Sequence, residues 1–578
     1  MRFKKGLIVL LYIWMVLGCV GIVWLVGYLA GEGPDRKQTQ EEWTQEQESQ
    51  KEDGDHVPAS PSDWDDKDGA GDKPGSGTGA GSESGTRPDE SQEADLADDQ
   101  DRRSDWQGRR GTGDKKDSFP EPEDAAPYIP PTLMLASDLH YMSRGTHDGG
   151  EAFWWMMTHD DGKVSIYSDE VLDALVEDTI RTRPSALVLA GDITLNGERI
   201  NHQGLAGKLQ KVQDAGIPVL VIPGNHDINN HNAATYFGGQ RQPTEYLEGA
   251  EAFLEIYHEF GYDQALSRDE ASLSYVYGLD ETHWMMMLDS CQYEDYNHVS
   301  GRIRPETLAW MEEQLELARA QQIMVMPVAH HNLLSESRMY KTECTMENHQ
   351  EVIRLLEQYE LPLYISGHLH AQRVKKHKEA PGVAEDAYGI SEIVLSPYSI
   401  PPCQYGYMEW QEDGAFSFET RQADVAGLAA ARGMEDPFLL NFPEEATKFM
   451  KGMIQDQVKQ TVHSVPEDLK QRMIRLYAEV YYDYCAGYSM DWKSVENTSG
   501  YTLWQRVDPG NKYVGEMREM VADVQSDHRN WHWEPAQESE GAGDAEGEEL
   551  RQQTVPETEA ALADGREVEE MTEADSLE

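Results

Sequence analysis

At 578 residues the chain is long enough for two or three domains and a sizeable hydrophobic core. Its 106 Asp and Glu against 49 Lys and Arg give a formal net charge of -57 at pH 7, which repels phosphate backbones and excludes a nucleic acid polymer as a non-specific partner. Five scattered cysteines with no CxxC pair exclude a disulfide-dense scaffold and a thiolate zinc site.

Arg2, Lys4 and Lys5 precede an uncharged run over 6–31. At ~1.5 Å per residue this run crosses a bilayer with some tilt. The basic residues before it put the N-terminus in the cytoplasm and everything that follows outside. The expectation is a cytoplasmic stub and single-pass transmembrane helix over 1–31, in the cell membrane, with the rest extracytoplasmic. A cleaved signal peptide is the rival reading, but the apolar run exceeds a usual signal core. A lipoprotein signal at Val16-Leu17-Gly18-Cys19 is a second rival, and the mostly apolar residues after Cys19 count against it.

From 32 to 127 the composition is Gly, Ser, Asp, Glu, Gln and Pro with few aliphatics. Such a segment buries too little apolar surface to offset its chain entropy, so a disordered acidic linker is expected. The tail over 535–578 reads the same way.

Between these arms strands and helices alternate. A strand is predicted over 132–136. A helix follows, with Ser168 as its cap, Asp169 and Glu170 in its first turn, and Val171, Leu172, Leu175, Val176 and Ile180 on one face. Next come a strand at 186–189, a helix near 205–215 and a strand at 218–222. A helix at 305–320 has Pro305 in its first turn. A strand at 323–328, a helix at 347–358 and strands at 363–366 and 393–396 complete the series. This alternation predicts an α/β layered core over 128–435. Strand signals then fade. Phe449, Met450, Met453, Ile454, Val458 and Val462 fall at helical spacing, as do Leu469, Met473, Leu476, Tyr477, Val480 and Tyr481. A helical C-terminal domain over 436–534 is expected, with these stripes as its core.

Short polar clusters punctuate the α/β region: Asp138-Leu139-His140, Gly191-Asp192, Gly224-Asn225-His226-Asp227, His330-His331 and Gly367-His368-Leu369-His370. Asp138, Asp192, Asn225, His330 and His368 each follow a predicted strand within a few residues. Ligands of open α/β sheets gather at the carboxyl ends of strands, so these segments can converge on one crevice. Carboxylates and imidazoles with an open position are what hydrolytic metal sites require. Asp192 has two oxygens and can bridge two cations. An imidazole at each end of His368-Leu369-His370 can serve one metal each. His147, His159, His202, His231, His258 and His298 have no matched partner and read as surface or loop residues.

The ordered set D-x-H, G-D-x-x-x-x-G (191–197), G-N-H-D, H and G-H-x-H resembles the calcineurin-like metallophosphoesterase superfamily over about 132–399. The resemblance implies a two-layer β-sandwich flanked by helices, and a dimetal phosphoesterase acting through a metal-bridged hydroxide. It implies that Asp138, His140, Asp192 and His370 hold one divalent metal, and Asp192, Asn225, His330 and His368 the second. His226 would protonate the leaving oxygen, with Asp227 orienting it. Oxygen and nitrogen donors of this kind accept Mn, Fe or Zn.

The long insertion over 141–167, the segment at 329–334 and the helical C-terminal region look like bacterial class III cyclic nucleotide phosphodiesterases. That likeness implies a small phosphate-ester substrate, 3′,5′-cyclic nucleotides or related diesters. Trp154 or Trp155 would be a base-stacking surface, and His331 a further substrate-binding residue. Rival readings are hydrolysis of nucleotides, lipid head groups or cell-wall phosphodiesters, and a non-catalytic surface binding protein. The complete ligand set argues against the last.

Overall fold

The computed structural model describes residues 128–535, except 335–336, 340–341, 378–388, 464 and 508. The expected anchor and acidic linker over 1–127, and the tail after 535, lie outside the described residues. Among the described residues no helix is long and apolar enough to cross a membrane.

Two mixed sheets carry the α/β part. β1 (Thr132–Ala136), β2 (Ala186–Ala190) and β3 (Val219–Ile222) run parallel as neighbours in the first sheet. β4 (Ala234–Phe237) and β5 (Gln240–Pro243) form a separate hairpin. The second sheet contains β6 (Ser267–Arg268), β7 (Tyr275–Gly278), β8 (His283–Leu288), β9 (Met324–Ala329), β10 (Leu363–Ser366), β11 (Arg373–Lys376) and β12 (Ser391–Val394). Its spatial order is β11-β12-β10-β9-β8-β7-β6, with β8, β9, β10 and β12 parallel. β13 (Gln404–Trp410) and β14 (Phe416–Gln422) return to the first sheet, antiparallel beside β1. β15 (Asn530–Trp533) pairs with β14 at its edge.

Parallel neighbours need crossovers, and helices supply them. Ser168–Thr182 lies between β1 and β2, Arg199–Asp214 between β2 and β3, Pro305–Ala320 between β8 and β9, and His349–Gln358 between β9 and β10. The period of two along β8 sorts its side chains between layers. Met285 and Met287 join the core shared with the first sheet, whereas Met286 and Leu288 join Met311, Leu315 and Leu356 of the covering helices. Each such side chain contributes about 1.5–3 kcal/mol by leaving water. Strand β2 is buried along its whole length, as expected of a parallel strand covered on both faces.

Most predicted elements occur close to their expected limits, and Thr132–Ala136, Pro305–Ala320 and Leu363–Ser366 coincide with them. Ser168 does not cap its helix. It is the first helical residue, and its hydroxyl accepts from the Met142 N–H at 3.0 Å. The helix expected near 205 opens at Arg199.

The C-terminal region is helical. Phe442–Thr461 and Glu467–Ala486 pack through Met450, Ile454, Val458, Tyr477, Tyr481 and Tyr484. Trp504 is fully buried among them, its indole N–H donating to the Met473 carbonyl at 2.9 Å. The same cluster includes Leu369 and Ala371, which flank His370.

Candidate metal centre

The polar clusters meet because of strand direction. Asp138, Asp192 and Asn225 follow the parallel β1, β2 and β3, and His330 and His368 follow the parallel β9 and β10. All five therefore sit at one end of the two sheets.

The backbone there is strained. Asp138, His140, Asp192, His368 and His370 have φ of 54°, 41°, 46°, 66° and 56°. Left-handed conformations outside glycine cost about 1–3 kcal/mol each and persist where surroundings dictate them. Here the turns lock one another. Asp138 N–H donates to Gly191 O at 3.1 Å, His140 N–H to Asp192 O at 2.9 Å, and Gly367 N–H to His330 O at 3.0 Å. Glycines permit the approach. A Cβ on Gly224 would lie 2.1 Å from the Asp192 nitrogen, and one on Gly367 would lie 1.8 Å from the Ser137 hydroxyl.

Two overlapping groups could hold cations. Asp138, His140, Asp192 and His370 form one, and Asp192, His330 and His368 the other, with donor atoms in each within 4.8 Å of one another. Asn225 joins the second group, its Oδ1 lying 3.2 Å from His330 Nε2. Asp192 belongs to both.

The donor chemistry fits such a cation pair. His330 Nδ1 donates to the Ala190 carbonyl at 2.9 Å, His368 Nε2 to the Glu343 carbonyl at 3.0 Å, and His370 Nδ1 to the Asp161 carboxylate at 2.5 Å. These bonds fix which nitrogen of each ring keeps its lone pair. The remaining nitrogens face each other, His330 Nε2 to His368 Nδ1 at 3.2 Å and His140 Nε2 to His370 Nε2 at 3.1 Å. Facing lone pairs repel unless a proton or a cation lies between them.

Charges follow from the same packing. Burial opposes it, but the Asp192 carboxylate raises His330 to about 9. Burial likewise opposes His370, which Asp161 and Asp138 raise to about 10. Burial and the neighbouring His330 depress His368 to about 4. Burial also works against ionised Asp192, yet His330 and His226 hold it well below the usual carboxylate range. Binding of cations therefore displaces protons.

His226 and Asp227 divide differently from expectation. His226 Nδ1 donates to the Leu195 carbonyl at 2.7 Å and lies 3.2 Å from Asn196 Oδ1. Its Nε2 lies 3.9 Å from Asp192 Oδ2, on a ring 35 % exposed. Asp227 does not orient that ring. Its carboxylate accepts from the backbone N–H groups of Thr194 at 2.9 Å, Gly224 at 2.8 Å and Ile193 at 3.2 Å, and from the Thr194 hydroxyl at 2.7 Å. It fastens the two ligand-bearing turns together.

The expected substrate contacts also need correction. Trp154 is buried with Phe153, Met157, Tyr236 and Met453, and its ring meets Phe449 edge-on, so it is core. Trp155 is half-buried and stacks on His159 at 4.2 Å. His331 is fully buried, with Nε2 donating to the Val299 carbonyl at 3.0 Å and Nδ1 accepting from Ser290 Oγ at 2.8 Å. Burial holds it neutral, and both nitrogens are committed. Its ring packs 4.5 Å from that of His368. His202, read from sequence as a surface or loop residue, is fully buried beneath the site, with Nε2 donating to the Asp227 carbonyl at 3.0 Å.

Sequence reasoning missed Asp161 and Glu392. Asp160-Asp161 reads only as part of an insertion. Glu392 is buried and accepts from Leu333 N–H and Leu334 N–H, both at 2.8 Å, and from Ser366 Oγ at 2.7 Å. It ties the His330 segment to the strand before His368, and nothing in its sequence neighbourhood marks it.

Residues 131–372 match the family model of the calcineurin-like phosphoesterases, and 424–527 match the C-terminal domain of cyclic nucleotide phosphodiesterase. The calcineurin-like phosphoesterase resemblance thus holds over 131–372. This phosphoesterase is a metal-dependent phosphoric ester hydrolase. Solved structures similar to it include a dimetal phosphatase from Danio rerio, 16% identical over 51% of this chain and 97% of that one, with a TM-score of 0.38. Another is a purple acid phosphatase from yellow lupin seeds, 12% identical over 51% of each chain, with a TM-score of 0.35. No curated protein matches the phosphoesterase.

Proposed function

We propose that the chain is a phosphodiesterase acting on 3′,5′-cyclic nucleotides or related small diesters. The observation that carries this reading is the match of 424–527 to the C-terminal domain of cyclic nucleotide phosphodiesterase, in a region packed against the turn bearing His370. Asp138, His140, Asp192 and His370 hold one cation and Asp192, Asn225, His330 and His368 the other. Bound there, the pair supplies charge neutralisation and an activated water. His226, anchored through Nδ1, turns Nε2 toward the leaving oxygen as proton donor. Tyr296 is half exposed and stacks on His298 at 4.3 Å, while its neighbour Asn297 donates to the Asn225 carbonyl at 3.1 Å. This aromatic pair takes the base-stacking role in place of Trp154.

Turnover of a 3′,5′-cyclic nucleotide, bis(nitrophenyl) phosphate and the matching monoester under saturating Mn²⁺ tests the reading. The cyclic nucleotide and the diester should be hydrolysed faster than the monoester. Tyr296→Ala should raise KM for the cyclic nucleotide more than for the nitrophenyl diester. Monoester preference without cyclic nucleotide turnover would transfer the assignment to a nucleotide, head-group or wall-polymer hydrolase. The run over 6–31 supports an extracytoplasmic location on a membrane anchor. Release of the chain by alkaline washing of membranes would contradict that anchor.

A further inference from the structure

His370 is the imidazole of the first cation group whose outer nitrogen is held by a carboxylate, that of Asp161 at 2.5 Å. The outer Nδ1 of His140, in the same group, is buried without a hydrogen-bond partner among the described residues. Of the two imidazoles in this group, His370 is thus the one oriented from outside, and Asp161 orients it. That carboxylate is itself fixed. Lys163, buried, reaches Asp161 Oδ1 at 2.5 Å and Asp160 Oδ1 at 2.7 Å.

The segment 158–161 is in turn gripped by the C-terminal helices. Gln457 Nε2 donates to the carbonyls of Thr158 at 3.1 Å and Asp160 at 2.6 Å, and the Tyr481 hydroxyl to that of Asp161 at 3.4 Å. The other side of His370 is held by the same helices. Leu369 and Ala371 are buried among their side chains, and the Gln372 N–H donates to the Cys485 carbonyl at 3.0 Å.

We propose that Asp161 is a positioning residue for the first cation, orienting His370, and that the C-terminal helices hold it in place through Gln457. The inference rests on the dimetal reading of the centre. Outer partners of this kind typically change metal affinity about 10–100-fold. Negative charge on Asp161 also strengthens His370 as a donor, which a neutral amide does not.

Calorimetric titration of the metal-free full chain with Zn²⁺, with elemental analysis of the loaded product, tests this. The wild type should take up two equivalents. Asp161→Asn should weaken one binding step by about 10–100-fold and leave the other unchanged. Gln457→Ala, which leaves the carboxylate in place, should weaken the same step by a smaller factor and provides the reading if Asp161→Asn fails to fold. Two unchanged steps in Asp161→Asn would overturn the positioning role. An unchanged profile in Gln457→Ala would overturn the part assigned to the helices. A wild type that binds fewer than two equivalents would instead overturn the dimetal reading itself.

Discussion

His226 has one nitrogen pinned to a carbonyl, as His330 and His368 do, but its ring is 35 % exposed and belongs to neither cation group. Removing it should leave the cations in place. His226→Ala is expected to retain wild-type metal content while turnover falls by about 10²–10⁴. The loss should be largest on alkyl esters, whose leaving groups need a proton. Equal losses on nitrophenyl and alkyl esters would argue against proton donation. His202 gives a second test at this scale. Burial, outweighing its bond to the Asp227 carbonyl, lowers it to about 3. Its unfolded value is about 6.5, so the unfolded chain binds more protons between these limits. Stability is then unaffected above about pH 6.5 and falls as the pH drops below it, by ~1.4 kcal/mol per unit. His202→Gln should flatten the melting temperature between about pH 6.5 and 4, measured with chelator so that metal release does not contribute. Parallel curves for the two proteins would refute this.

Turns, more than side chains, build the centre at the next scale. Gly224 has an ordinary φ; what it provides is closeness, since a Cβ there would meet both Asp192 N and Asp192 Oδ1, at 2.1 and 2.2 Å. Gly224→Ala should destabilise the fold by about 1–3 kcal/mol and cost both cations, because the bridging carboxylate is displaced. Gly452, inside the helix Phe442–Thr461, has nothing within 4 Å of the same position. Gly452→Ala should leave metal content unchanged and stabilise the chain by roughly 0.5–1 kcal/mol. Thermal melts and metal analysis of the pair separate the two effects. The ligand-bearing strands were legible because each is a short apolar run ending in a polar cluster. Strand β13 was not, because Gln404–Trp410 mixes buried residues on both faces and shows no clean alternation. Ala152, Phe153, Trp154, Met156 and Met157 also carried a signal: bulky residues at helical spacing mark a packed helix, here Glu151–Thr158. Reading them as loop aromatics misplaced Trp154. Asp227 was misassigned for a different reason, since adjacency to His226 in sequence does not fix where a carboxylate points.

For the molecule as a whole, the helical region and the metal centre are one structure. Deleting the chain after Ala423 would uncover Leu369, Ala371, Val394 and Ile400 and leave the Gln372 N–H without its acceptor. Such a protein should be insoluble or lack a cooperative melt, whereas a chain beginning at Ala126 should be soluble and bind two cations, because every proposed ligand follows it. Gel filtration and thermal melts of the two truncations test the contrast, and a well-folded C-terminal deletion would disprove the integration. Strand β15 adds a consequence for biosynthesis. It pairs with β14 along Asn530–Trp533, after all the helices. At ~5–20 residues per second, the ribosome leaves the edge of β14 uncovered for on the order of ten seconds after that strand emerges. An open strand edge is a template for pairing with other chains. Arg421 beside Tyr407 and the charged Glu419 punctuate that edge, as gatekeepers against nascent-chain aggregation would.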